Sequence, residues 1–208
     1  MTLPRARDEL ADKSGPKSDG RKRLAARKPT AADGDARVAR TRKAVIGAFT
    51  KMLLEHGYDA IQPGSLAEAA GVGRSTFYEH FDGKADVLRS SLVPILTPLA
   101  SAATEPNDDV ELRRCVDHFW AQRATARVLL TGRSRGVIQT QLADLIAMQL
   151  RSKSYRARVP LPLVATQVAH AQLAALDEWL AGRHRCDPET MVHVLWTGAV
   201  ALCSAFSI

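Results

Sequence analysis

The chain has 208 residues, 46% of them hydrophobic, with a formal net charge of +7 and a sequence pI of about 9.7. That length and apolar share are enough for a buried core, and the basic balance points to polyanionic partners, nucleic acid or an anionic membrane surface. Three scattered cysteines, Cys115, Cys186 and Cys203, argue against a disulfide scaffold and against a zinc site, so reduced thiols in a cytoplasmic protein are expected.

Residues 1–35 hold nine Lys/Arg and six Asp/Glu with almost no large apolar side chain. Such a composition cannot offset the entropy of ordering, so a disordered basic tail is expected. Its densest stretch, Arg21 to Lys28, is a candidate arm on DNA phosphates. No apolar segment follows the basic start, so no secretion signal is expected. Helical spacing then begins: Val38, Val45, Phe49, Met52 and Leu53 predict a helix over 36–56, capped by Asp35 and ended by Gly57. Two short helices follow, broken by Gly71. In the second, Phe77 and Phe81 stand four apart and share an inward face. A fourth helix starts near Lys84 with Val87, Leu88, Leu92, Ile95 and Leu99, and Pro94 inside it predicts a kink or an early stop. This fourth helix is the covalent link along which a signal would travel, with Pro94 setting its bend.

Further helices are predicted over 108–122, 123–131, 134–152, 161–182 and 187–205, the last with Asp187 as N-cap and Pro188 at its first position. No segment alternates like a strand. The fold class is therefore all-α with about nine helices: a tri-helical domain over 36–83 and a helical domain over 84–208. The last two helices are short of charge. Between Leu161 and Leu180 only Asp177 and Glu178 are charged, and from Met191 to Ile208 there is no Asp, Glu, Lys or Arg. Helices this apolar need cover on more than one side, and a second copy of the chain is the simplest cover. A membrane span is set aside because His193, Thr197, Ser204 and Ser207 interrupt the run and no basic flank follows it.

The segment from Ser65 to Leu88 resembles the helix-turn-helix of the tetracycline-repressor (TetR) family. The likeness rests on Leu66, Ala67, Ala70, Gly71 and Val72, then Thr76, Phe77, Tyr78, His80, Phe81, Lys84 and Leu88. It implies a homodimer that binds double-stranded operator DNA through residues 74–81 and takes a small-molecule effector in its C-terminal domain. By the same resemblance Arg74, Ser75 and Thr76 read bases or backbone near the helix start, Tyr78 and Lys84 contact phosphate, and Thr41 and Gln62 lie near the DNA backbone. Gly73 stands where the family usually has a Ser or Thr cap, and His80 is a helix-end candidate. The physical requirement agrees: a reading helix needs polar side chains for base edges and an apolar back for its own domain.

Effector candidates in the C-terminal half are polar or aromatic residues on apolar helices: His118, Trp120, Gln122, Gln141, Gln167 and His170. Each reads equally as a core or interface residue with its hydrogen bonds satisfied. No cofactor or metal is implied, and no catalytic motif is present, which leaves an enzyme the weakest reading. A non-specific architectural DNA-binding protein remains the alternative to a sequence-specific regulator.

Overall fold

The structure, a computed structural model, describes residues 31–104 and 110–208, with side chains from Gly34 onward. The Arg21–Lys28 stretch lies outside the described residues. Those described form nine helices: α1 (Ala31–His56), α2 (Pro63–Ala69), α3 (Arg74–His80), α4 (Lys84–Ser101), α5 (Val110–Ala121), α6 (Arg123–Thr131), α7 (Ser134–Ser152), α8 (Leu161–Leu180) and α9 (Pro188–Phe206).

Helix α1 starts five residues earlier than its apolar spacing suggests. Ala31, Ala32 and Ala36 favour helix. Asp35 is thus inside the helix rather than its cap. Val38, expected on the inner face, is exposed. The buried face begins at Val45 and Phe49, and Gly57, at φ +76°, closes the helix by donating its N–H to the Leu53 carbonyl. Gly71 makes the equivalent left-handed turn between α2 and α3.

Helix α4 does not stop at Pro94; it runs on through Pro98 to Ser101. Each proline removes one intrahelical hydrogen bond. That loss is offset by Val87, Leu88, Leu92, Leu96, Leu99 and Ala100, buried on both sides of Pro94, while Pro94 itself is exposed. Helix α4 packs on α7 and reaches α1 and α5; α8 packs on α7 and α9. Gln172, almost fully buried in α8, donates Nε2–H to the Leu99 carbonyl at 2.9 Å and ties α8 to the end of α4.

Helices α7 and α9 are fastened at their C-terminal ends. The Tyr155 hydroxyl donates to the Cys203 carbonyl, Arg158 N–H to the Phe206 carbonyl at 2.9 Å, and Ile208 N–H to the Arg156 carbonyl at 3.2 Å. Among the described residues the three cysteines form no disulfide, and Cys115 donates its Sγ–H to the Ile95 carbonyl at 3.1 Å. Burial raises the pKa of Cys203, and burial together with the Asp187 charge raises that of Cys186, so neither is an activated thiolate.

Asp187 caps α9 by accepting the Thr190 N–H at 2.7 Å, and this bond holds its carboxyl below the usual aspartate range. The ionised carboxylate therefore adds stability at neutral pH. That stability is lost as pH falls through the depressed folded-state pKa. Asparagine at this position caps without titrating. Thermal unfolding midpoints of wild type and Asp187→Asn should converge as pH falls through and below the ordinary aspartate range; a gap that stays constant across that fall would contradict this.

Candidate functional site

Two places combine exposure or emptiness with chemistry. The first is the outer side of α3. Its inner side is fully apolar: Phe77 and Phe81 are buried with Leu66 of α2, Val45 and Phe49 of α1, and Ile61 of the intervening turn. The ring centroids of Phe77 and Phe81 lie 5.8 Å apart. With that face used up, Arg74, Ser75 and Tyr78 face solvent, and Tyr78 is 49% exposed. Gly73 and Gln62 are exposed beside them, while Thr41, Thr76 and His80 are half-buried. Gly73 has extended backbone and offers no capping side chain to α3. The Arg74 guanidinium carbon lies 4.0 Å from where a Cβ on Gly64 of α2 would stand, so the starts of α2 and α3 share one surface.

Lys84, expected on phosphate, has its ammonium turned into the protein. Its Nζ donates to the carbonyls of Tyr58, Asp59 and Ile61 at 3.1, 3.2 and 2.9 Å, and sits 4.7 Å from the Tyr58 ring centroid. An ammonium has three donors, and all three are engaged inside the protein. Lys84 therefore fastens α4 to the turn between α1 and α2. Burial and the Asp59 charge raise the pKa of Tyr58, against the opposing pull of Arg89. His80 likewise matters through its backbone: its carbonyl accepts Nη1–H of Arg42 at 2.8 Å.

The second place is a cavity of about 280 Å³. Leu92, Ile95 and Leu96 of α4, Phe119 of α5, Ala126, Leu129 and Leu130 of α6, Ile138 of α7 and Leu173 of α8 give it an apolar wall. Helix α1 adds Thr50, Leu53 and Leu54. A few polar groups, those of Thr50, Ser91, His118, Gln122 and Thr125, are placed among them. Of the effector candidates, His118 and Gln122 line this cavity. Trp120 does not; it stacks on Trp179 with ring centroids 4.7 Å apart and carries Arg123 on its ring. Gln141 is also absent from the lining. Gln167 and His170 are exposed on the outer face of α8, because the inner register is taken by Val164, Val168 and Leu173.

Sequence reasoning missed Arg42, Thr50, Ser91 and Thr125. Arg42 had a signal: it precedes Val45 by three and Phe49 by seven, which puts a charge in line with a core face. The small hydroxyl residues had none, since their helices were read for apolar spacing alone.

Residues 46–90 match the family of bacterial regulatory proteins, tetR family. The HTH-type transcriptional repressor LfrR of Mycolicibacterium smegmatis is 38% identical over 84 residues, which is 38% of this chain and 43% of that protein. The uncharacterized HTH-type transcriptional regulator YdeS of Bacillus subtilis is 28% identical over 123 residues, 57% of this chain and 59% of that protein. The chain spans about half the length of the curated relatives it matches. A TetR-family regulator from Streptomyces coelicolor A3, solved as a crystal structure, superimposes with a TM-score of 0.53 at 21% identity, over 80% of this chain and 96% of that one. That likeness is one of fold.

The geometry separates two residues that the sequence grouped together. Tyr78→Phe should weaken DNA binding across sequences by removing a neutral hydrogen bond to phosphate, with the salt slope of binding and thermal stability unchanged. Lys84→Met should instead cost on the order of 1–2 kcal/mol of stability by orphaning three carbonyls, with the salt slope also unchanged. Salt titrations and melting curves of both variants check this.

Proposed function

We propose that this chain, a member of the TetR family of bacterial regulatory proteins, is a cytoplasmic, homodimeric, sequence-specific transcriptional repressor that releases its operator when a small apolar molecule occupies the cavity. One observation carries the reading: the cavity is walled both by the C-terminal domain and by α1, the helix on which the DNA-reading unit is built. An occupant that prefers one placement of α1 over another changes DNA affinity by that preference and by nothing else. The lining suits a largely apolar ligand, oriented by a hydrogen bond to His118, Gln122 or one of the hydroxyls.

The DNA-facing set under this reading is Arg74 and Ser75 at the start of α3, with Thr76 beside them, Tyr78 on phosphate, and Gln62 and Thr41 flanking. Double-stranded operator DNA, a second copy of the chain and the effector are the three partners. Dimerisation is supported by the outward faces of the last two helices. On α8, Leu163, Gln167, His170, Ala171 and Ala174 are exposed, and on α9, His193, Val194, Thr197, Ala201 and Ala205 are exposed, none formally charged apart from any protonated histidine. Helix α9 is long and apolar enough to cross a membrane by length and composition, with 28% of its apolar window buried within one copy. A neutral two-helix face of this kind suits a self-complementary two-fold contact.

Selection of bound DNA from a random pool at fixed salt tests the central claim. A palindrome-like site with half-sites about 34–36 Å apart, or a multiple of that, is expected. Equal retention of all sequences would instead identify an architectural DNA-binding protein. For the dimer, Ala171→Arg with Ala201→Arg should give a monomer by sedimentation, with operator affinity down by at least on the order of tenfold, because two half-sites are no longer held as one unit.

A further inference from the structure

Arg42 makes three contacts with one guanidinium. Nη1 donates to the His80 carbonyl at 2.8 Å, Nη2 donates to the Ser90 hydroxyl oxygen at 3.0 Å, and Cζ lies 4.4 Å from the Phe81 ring centroid. Arg42 belongs to α1, His80 is the last residue of α3, Phe81 its C-cap, and Ser90 belongs to α4. One planar group therefore joins three helices. The His80 carbonyl is among those that a helix end leaves without an intrahelical partner, and a cation there is favoured by the helix dipole.

The two helices that Arg42 bridges to α3 both continue into the cavity wall. On α1 the wall begins at Thr50, eight residues on and about 12 Å along the axis. On α4 it begins at Ser91, the residue after the Arg42 acceptor. The fork geometry of a guanidinium is rigid, so its two donors satisfy His80 and Ser90 together only while the end of α3 and α4 keep their present relation, with α1 tied to both through the Arg42 side chain. Displacing either acceptor by about 1 Å from the guanidinium stretches its bond beyond hydrogen-bond range.

We propose that Arg42 is the positioning residue that converts a change in the α1–α4 relation into a change in the seating of the recognition helix α3. The inference rests on the reading of the cavity as the effector site. When α1 and α4 move apart around an occupant, Arg42 keeps either His80 or Ser90. Losing His80 frees the carbonyl end of α3; losing Ser90 lets α3 follow α1 away from α4. In both cases the side chains of Arg74 and Tyr78 leave the geometry that α4 had imposed.

The test uses the full chain, its selected operator, and N-phenyl-1-naphthylamine as a neutral apolar fluorescent probe. Three quantities are measured for wild type, Arg42→Lys and Ser90→Ala: probe affinity of the free protein, operator affinity with and without saturating probe, and thermal stability. Lysine keeps the charge but reaches only one acceptor. Alanine at 90 removes an acceptor without touching α3, and keeps the test open if the Arg42 variant folds poorly. Wild type should lose operator affinity by a factor within the 5–150-fold range usual for coupled sites. Both variants should bind the probe within about twofold of wild type yet shift operator affinity by less than about threefold, below that range. Equal probe-induced shifts in wild type and Ser90→Ala would overturn the role of Arg42 while leaving the effector site intact. A wild type that binds probe without any change in operator affinity, or does not bind it, would overturn the effector reading and this inference with it.

Discussion

A seven-residue helix does not persist alone in water, so α3 keeps its shape only through what holds its inner face and its two ends. The inner face is held by Phe77, buried against α1 and α2, and by Phe81 just past the last turn. The carbonyl end is held by Arg42. Among the described residues no side chain caps the start, where Gly73 stands. Helix α3 is thus firm at its back and at one end, and most adaptable where Arg74 and Ser75 stand.

Those fastenings make α1 indispensable to both halves of the molecule. At 26 residues it is about 39 Å long, more than the small tri-helical unit can cover. Val45 and Phe49 serve that unit, and the next turn, from Thr50 to Leu54, serves the cavity. Lys84 closes the arrangement from the other side by binding the turn that follows α1 to the first residue of α4. The tri-helical unit of α1, α2 and α3 is therefore attached to the helices that follow by two cationic clamps and one shared wall. Covalent connection through α4 is only part of the linkage.

The fold was legible because its punctuation is chemical. Gly57, Gly71 and Gly182 adopt positive φ where the apolar spacing ends, and Asp187 with Pro188 opens the last helix as a cap and first residue should. The four-residue spacing of Phe77 and Phe81 fixed which way α3 faces. Less was legible where tertiary context outweighs local pattern. Pro94 left a kink or an early stop open, and neighbours on α7 and α1 carry α4 past it. Lys84 looks like a surface cation, and only the folded turn brings three carbonyls to it. Trp120 looked like a pocket aromatic, but its partner, Trp179, lies 59 positions along the chain, beyond the reach of any spacing rule. His118 and Gln122 were found as polar residues on otherwise apolar helices; His118 in α5 and Gln122, the N-cap of α6, both reach the cavity wall.

Helix α8 carries opposite assignments on its two sides. Leu173 looks into the cavity, whereas Gln167, His170 and Ala171 look outward beside α9, and α9 is itself pinned to the 155–158 loop. Substitutions that reshape the cavity fall on α1, α4, α5, α6 and α7 and on a single α8 position, so they leave the outward face untouched. The two surfaces can therefore change independently of each other. Under the proposed reading, a lineage could trade one chemical signal for another by altering a few apolar side chains, while the contact between two copies, and with it their spacing on DNA, is inherited unchanged.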